Sequence, residues 1–310
     1  MSDSQIAPVS LASSKRINAG DTGVGMSLMR RAMYRLRRDK LTLIALGVLL
    51  LLLLISLLAP IISRNILNVD PDATDGYEHM LPIGTPGHIL GTDNIGRDQL
   101  SRLMFAGQVS LGIAVVGGVL SIGIGLILGV IAGYFGGTID DLINWVIATV
   151  NSIPGLFLLL IIAAVLRPGP EALVIVLGLL GWTLTTRLVR GETLSLRERD
   201  FIVSARAEGA SDWYIMFAHI IPNVISITVV NLAITMGDLI LLESALSFLG
   251  VGVQPPTPSW GNMLSNAQSF FKTGVYLVLP PGLLIVITVL CLYVVGDGLR
   301  DALDPTLNNT

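Results

Sequence analysis

The chain has 310 residues, of which 52% are hydrophobic and only 13% are charged, with a mean hydropathy of +0.75 and a net charge of −3. These values exclude an ordinary water-soluble domain, in which about a quarter of the residues are charged. The single cysteine, Cys291, excludes an intrachain disulfide, and the three histidines are scattered too widely in the sequence to indicate a metal site.

Long apolar segments predict six spans, since a helix needs roughly 20 apolar residues to cross a membrane. The segments are 41–62, 103–139, 142–166, 172–186, 220–250 and 273–296. The predicted fold is therefore all-α, a polytopic membrane protein with six transmembrane helices. Its predicted parts are a cytoplasmic N-terminal tail (1–40), the first transmembrane helix (41–62), a periplasmic segment (63–105), a core with five spans (106–300) and a cytoplasmic C-terminal tail (301–310).

Lysine and arginine are distributed unevenly between the two sides that these spans define. Placing the N-terminus in the cytoplasm puts fourteen of them on the inner side and five on the outer side. Because basic residues are enriched in cytoplasmic loops, both termini are predicted to be cytoplasmic.

The segment before the second span is loop-like and ends in HILGTDNIGRDQLSR (88–102). Taken locally, it is a polar turn in which Asp93, Arg97 and Asp98 form local ion pairs, and such pairs contribute little if they are exposed. The second span carries a small residue at every fourth position, which predicts close helix packing, with pore lining as the less favoured alternative. These residues are Gly117, Ser121, Gly125, Gly129 and Gly133. Further on, Pro154 predicts a kink in the third span.

The loop between the fourth and fifth spans has the pattern of two short helices. Gly209 predicts a left-handed turn between them, Ser211 is expected to cap the second helix, and Pro222 is expected to end it. Trp213 and Phe217 make this second helix aromatic. An exposed apolar surface of this kind indicates a protein partner. The alternative is that the loop packs on its own bundle or lies in the lipid headgroup layer.

Two carboxylates, Asp238 and Glu243, lie within the fifth span, where charged groups are costly and usually face the bundle interior or water. Their five-residue spacing places them on different faces of a helix. Each is either a pathway residue or is held by a neighbouring helix, including one from a second subunit. The loop that follows, VGVQPPTPSWGNM (251–263), contains three prolines and is expected to be stiff and external.

Several of these motifs resemble one family. Ala205, Gly209, Ile221 and Pro222 have the spacing of the "EAA" loop of ABC importer permeases, with Val203 and Ser204 where Glu and Ala usually stand. Three further stretches are similar to signatures of the dipeptide, oligopeptide and nickel importer permeases. They are the segment 88–102, the E-x-x-L-S-F-L-G stretch from Glu243 to Gly250, and the P-P-x-P-S-W-G loop. The resemblance covers roughly residues 88–305, and it identifies the chain as a C-type subunit of a B/C permease pair.

This resemblance implies a type I ABC importer permease fold and a set of site residues. The ATPase-coupling loop (191–222) would act through Ala205, Gly209, Ala210, Ser211, Trp213, Phe217, Ile221 and Pro222. The external docking motifs would be Thr92, Asp93, Gly96, Arg97, Asp98, Pro255, Pro256, Trp260 and Gly261. The candidate pathway residues remain Glu243 and Asp238.

The resemblance also implies the partners of the chain. They are a homologous B-type permease, two ATP-binding subunits and an extracytoplasmic substrate-binding protein, all at the inner membrane, with no nucleic acid. The chain itself would bind no cofactor, and ATP and Mg would be bound by the partner subunits. Di- and oligopeptides are the expected substrates, with nickel complexes or oligosaccharides as alternatives.

An enzymatic function finds no support in the sequence. A phosphate-binding loop requires a lysine after glycine, but Lys15, Lys40 and Lys272 follow Ser14, Asp39 and Phe271. There is no G-x-S-x-G motif on a strand-to-helix turn and no adjacent pair of histidines. A self-sufficient channel or secondary transporter is the alternative from another class, but such proteins favour internal repeats with broken helices, and no clear repeat is visible. The chain is therefore predicted to be a transport subunit and not an enzyme.

Overall fold

The computed structural model describes residues 33–166, 169–265, 267–271 and 274–303. Within these residues the regular structure is helical, without strands, as predicted. The helices are α1 Lys40–Leu57, α2 Ala59–Ile62, α3 Gln99–Phe135, α4 Gly137–Asn151, α5 Gly155–Leu166, α6 Pro170–Leu196, α7 Asp200–Ala207, α8 Asp212–Phe248, α9 Ala267–Phe270 and α10 Val275–Leu303. The tails 1–32 and 304–310 lie outside the described residues.

Five of these helices, α1, α3, α6, α8 and α10, are long and apolar enough to cross a membrane. The pair α4–α5 is bent by 74° at a short break that contains Pro154, which confirms the predicted kink. Counted as one broken span, the pair gives the sixth crossing. The fold is thus that of an all-helical membrane protein with six spans when the bent pair is counted as one.

The helix α3 lies at the centre of the bundle, with α6 as its most extensive neighbour and α8 and α1 on its other sides. The stripe of small residues faces α6 and lets the two backbones approach closely, as predicted. The facing pairs are Gly125–Thr185, Gly129–Val189 and Gly133–Thr193, where an added glycine Cβ would lie 2.4, 2.7 and 2.6 Å from the Cβ of the α6 residue.

Because the paired residue numbers rise together, α3 and α6 run in the same direction. The bent pair between them must therefore return the chain across the bundle, which supports counting it as a span. Arg190 Nη2 donates to Asp140 Oδ2 at 2.5 Å, which anchors the start of α4 beside the end of α6. The helix α6 runs beyond the predicted segment 172–186, and Arg190, one helical turn past its end, has its charge partner within the bundle.

The bundle has two distinct ends. At one end lie the last residues of α3 and α6 together with α7 and the start of α8; residues 200–220 are called the knob, and this is the knob end. At the other, the loop end, lie the segment 63–98 and the loop 251–263. Thr42 packs on Gly298 near the knob end, and Ser56 packs on Gly107 near the loop end. The first and last described residues therefore lie at the same end as the knob.

Candidate functional site: a coupling knob, a loop clamp and a carboxylate face

The break between α7 and α8 has the predicted geometry. Gly209 has φ +86°, in the left-handed region, and an added Cβ there would meet nothing within 4 Å. The amide of Ala210 donates to the carbonyl of Ala205, which closes the end of α7. Ser211 Oγ accepts from the amide of Tyr214 at 3.3 Å and caps α8. Both local predictions are therefore confirmed.

The prediction that Pro222 ends the second helix is wrong. The helix continues to Phe248, and the six residues Ile215–Ile220 just before the proline are π-helical. The amide of Ile221 donates to the carbonyl of Met216, five residues earlier. A proline inside an α-helix lacks a donor and collides with the preceding turn. Here the hydrogen-bond pattern changes to the wider π-turn just before the proline, and the knob and the fifth span form one continuous helix.

The knob has a buried face and an exposed face. Ile202, Ile215, Met216 and Ile220 are buried against α3 and α6 in one apolar cluster with Val130. On the other face, Trp213 and Phe217 are 61% and 63% exposed and stack with ring centroids 6.2 Å apart. The knob therefore packs on its own bundle through one face and leaves the other face, with its two aromatic side chains, open.

A shallow depression lies beside the exposed aromatic residues. Its lining includes four of the eight predicted coupling-loop positions, together with the rings of Phe201 and Tyr214. The lining residues are Phe201, Ser204, Ala205, Glu208, Gly209, Ala210, Ser211, Tyr214 and His219. Ile221 and Pro222 lie beyond it, on the helix that follows the π-turn.

Tyr134 at the end of α3 holds the knob in place, and the sequence did not point to this contact. Its Oη donates to Asp212 Oδ1 at 2.6 Å, and the guanidinium of Arg206 lies over its ring at 5.5 Å from the centroid. Arg197 Nη1 donates to the carbonyl of Gly133 at 3.2 Å. Because Tyr134 and Asp212 are 78 residues apart, no local pattern could have revealed their contact.

Glu243 lies at the centre of a buried set of hydrogen bonds, here called the clamp (Ser110, Glu243, Ser247 and Trp260). Ser247 Oγ donates to Glu243 Oε1 at 2.7 Å, and Ser110 Oγ donates to Oε2 at 3.2 Å. The amide of Trp260 donates to Ser110 Oγ at 3.1 Å, and its indole Nε1 donates to the carbonyl of Leu103 at 3.1 Å. Glu243 is 0% exposed, so in this conformation its carboxylate secures the loop 251–263 and does not face an open space.

The clamp also determines which predicted docking residues can be reached from outside. Trp260 is 1% exposed, and an added Cβ on Gly261 would lie 2.6 Å from Ser244 Cα. Both are therefore buried supports of the loop. Pro255 and Pro256, in contrast, are exposed at its tip.

The segment 88–102 combines an exposed turn at Asn94 and Ile95 with buried polar residues that support it. Asp93 accepts from Arg97 Nε at 2.7 Å, so the expected ion pair forms, and it lies in a largely buried position. Asp98 caps α3 by accepting from the amide of Ser101 at 2.7 Å, which starts the helix at Gln99, inside the predicted periplasmic segment. Thr92, Asp93, Gly96 and Asp98 are all buried, and Arg97 is partly buried.

His88 joins Asp98 to Glu78 in this segment. Its Nδ1 lies 2.9 Å from Asp98 Oδ2, and its Nε2 lies 3.2 Å from Glu78 Oε2. Partial burial alone would lower the pKa of His88, but the hydrogen bonds and the negative charges of the two carboxylates outweigh burial and raise its pKa above the usual value. His88 is therefore most strongly held when it is protonated.

Asp238 lies on a different face of α8 from Glu243, as predicted. Its side chain is exposed, and Tyr293 Oη of α10 donates to its Oδ1 at 2.7 Å. Among the described residues, no group of three or more His, Cys, Asp or Glu side chains is placed to hold a metal ion.

Comparison with known proteins assigns the chain to a family. Residues 125–309 match the model described as binding-protein-dependent transport system inner membrane component, and residues 27–82 match the N-terminal TM domain of oligopeptide transport permease C. The chain is 37% identical to the oligopeptide transport system permease protein OppC of Escherichia coli (strain K12), over 91% of this chain and 92% of that protein.

Two further relatives carry related names. The chain is 34% identical to the dipeptide transport system permease protein DppC of Alkalihalophilus pseudofirmus, over 93% of each chain. It is 35% identical to the glutathione transport system permease protein GsiD of Pectobacterium atrosepticum, over 80% of this chain and 82% of that protein. The chain belongs to the family of binding-protein-dependent transport system inner membrane components, the membrane permeases of ABC importers.

Proposed function

We propose that this chain forms half of the translocation pathway of an ATP-driven peptide importer and that the knob couples it to the ATP-binding subunits. The observation that carries the coupling proposal is the stacked pair Trp213 and Phe217, exposed at the end of the bundle on a helix that continues through the membrane as α8. A large exposed apolar surface next to a span supports a protein partner.

The partners follow from this function. They are a homologous B-type permease that supplies the other half of the pathway, two ATP-binding subunits that carry ATP and Mg, and an extracytoplasmic binding protein that docks at the loop end. Peptides are the proposed substrates because the similar proteins named above are permeases for dipeptides, oligopeptides and glutathione. Nickel complexes and oligosaccharides are the alternatives to be excluded by competition in the uptake assay.

The orientation is part of the proposal. The excess of basic residues on one side supports a cytoplasmic knob end with both termini in the cytoplasm. Single cysteines at Ser211 and Thr257, in a Cys291→Ser background, test it. Ser211→Cys should react with a membrane-impermeant maleimide only from the cytoplasm, and Thr257→Cys only from outside. Reaction of both from the same side would contradict the six-span arrangement.

Coupling is tested by recovery of the ATP-binding subunits with the purified permease. The double substitution of Trp213 and Phe217 by Ala should abolish co-purification, because it removes the two most exposed apolar side chains of the knob. Tyr77→Ala is the matched control, since Tyr77 is a fully exposed aromatic residue in the segment at the loop end. Normal recovery with the double variant would refute the coupling role of the knob.

A further inference from the structure

Asp238 lies near mid-height of the bundle. Its neighbours Leu239 and Met236 pack against Gly117 and Gly118, which stand in the middle of the 37-residue helix α3. At 1.5 Å per residue, that level is roughly 27 Å from either end of α3. Asp238 thus lies level with the middle of α3, well inside the bundle.

The position of the Asp238 carboxylate is fixed by its surroundings. The Tyr293 ring lies on the backbone of Gly237, where an added Cβ would be 2.8 Å from Tyr293 Cε1, so a larger residue would displace the ring. From that position Tyr293 Oη donates to Oδ1 of Asp238 at 2.7 Å. In the part of the chain that the structure describes, the second carboxylate oxygen accepts no hydrogen bond, and Asp238 has no basic partner.

An exposed carboxylate at this depth cannot face lipid without a large cost, so water or another protein group must cover it. A groove between α6, α8 and α10 opens close to this carboxylate. The groove lies toward the knob end, and Ile234, one helical turn before Asp238, belongs to its lining. The other lining residues are Leu188, Ser226, Ile227, Val230, Asn231, Arg300 and Leu303. The walls are mostly apolar, and Asp238 is the acidic group just beyond them.

We propose that Asp238, held by Tyr293, binds the protonated N-terminal amino group of a peptide in transit. An ammonium group has three donors and no acceptor. The free carboxylate oxygen and the lone pairs of Tyr293 Oη can accept from it, while the apolar walls tolerate varied side chains. This inference rests on the proposed function, because it requires that peptides pass along this face.

The experiment uses the complete transporter, with its partner permease, ATP-binding subunits and binding protein, in sealed vesicles. Uptake of trialanine and of N-acetyl-trialanine is measured at concentrations that saturate the binding protein. Asp238→Asn should lower trialanine uptake at least about tenfold, the factor expected for losing one hydrogen bond to a charged group. It should change uptake of the acetylated peptide by less than about twofold, because that peptide has no ammonium group. Asp301→Asn, at an exposed carboxylate near the end of α10, is the matched control and should leave both unchanged.

Each outcome decides the inference. Equal losses for both peptides, no loss for either, or loss of the partner permease from the purified Asp238→Asn complex would overturn it; the last result would make Asp238 a contact between subunits. If the wild-type transporter does not carry the acetylated peptide, the ratio of wild-type to variant trialanine uptake at pH 6.5 and pH 9 replaces that arm. The ratio should fall as the peptide amino group loses its proton, and a constant ratio would refute the inference. A wild-type complex that carries no peptide at all would instead refute the proposed function.

Discussion

Gly209 allows a sharp test of the knob, because the only penalty for a side chain there comes from the backbone. Its φ of +86° is unfavourable for a residue with a Cβ, while the space around the added atom is empty. Gly209→Val should therefore cost about 1–2 kcal/mol, the usual cost of the left-handed conformation, with a β-branched residue at the upper end. Since 1.4 kcal/mol is a factor of ten in an equilibrium, this cost would shift the equilibrium away from the present conformation by roughly 5- to 30-fold.

The assay is ATP hydrolysis by the reconstituted complex, with and without loaded binding protein. Gly209→Val should keep the permease in the membrane but lose most of the stimulation, because straightening the turn changes the direction of Trp213 and Phe217 relative to the bundle. Gly209→Asn is the matched control, since asparagine tolerates the left-handed region, and it should retain most of the stimulation. Full stimulation with valine, or equal loss with both substitutions, would refute the reasoning from backbone conformation.

Three further predictions address the bundle and its loop end. Gly125→Val should sharply lower the yield of folded protein, because its Cβ would lie 2.4 Å from a side-chain carbon of α6. Gly123→Val on the same helix meets nothing within 4 Å and should be tolerated, so similar yields of the two variants would contradict the close packing. Glu243→Ala should destabilise the protein by roughly 1–3 kcal/mol in thermal unfolding, because two serine hydroxyls lose their acceptor. Glu243→Gln keeps an acceptor and should destabilise the protein less, so equal destabilisation by the two variants would argue against the clamp. Because the pKa of His88 is raised in the folded state, its contribution to stability is complete below its unfolded-state pKa near 6.5 and is lost as the pH rises through its folded-state pKa. The melting temperature of the wild type should therefore exceed that of His88→Gln by more at pH 6 than at pH 8.5, and a pH-independent difference would contradict this.

The parts of the fold that depend on neighbouring residues could be predicted from the sequence. The left-handed turn at Gly209, the cap at Ser211 and the break at Pro154 are decided within a few residues of each position. The stripe of small residues could also be predicted, because its four-residue period identifies one face of a helix without naming the partner helix.

The parts that depend on distant residues could not be predicted. The burial of Trp260 requires Leu103 and Ser110, and the hold on the knob requires Tyr134, which is far from Asp212 in sequence. The error at Pro222 has a different cause. A proline usually ends a helix, but a π-turn before it removes the conflict, and the sequence carries no strong sign of such a turn.

The clamp at Glu243 has a mechanical consequence for α8. If this helix tilts as a rigid rod, the clamp is its pivot, and displacement grows with distance from that point. Trp213 is thirty residues from Glu243 and Asp238 is five, so the two arms are about 45 Å and about 7.5 Å long. A tilt of about 10° would sweep the knob through roughly 8 Å and shift Asp238 by only about 1.3 Å. A lever with this sixfold ratio turns a large stroke at the knob into a fine adjustment at mid-membrane, while the loop beyond the pivot stays almost still.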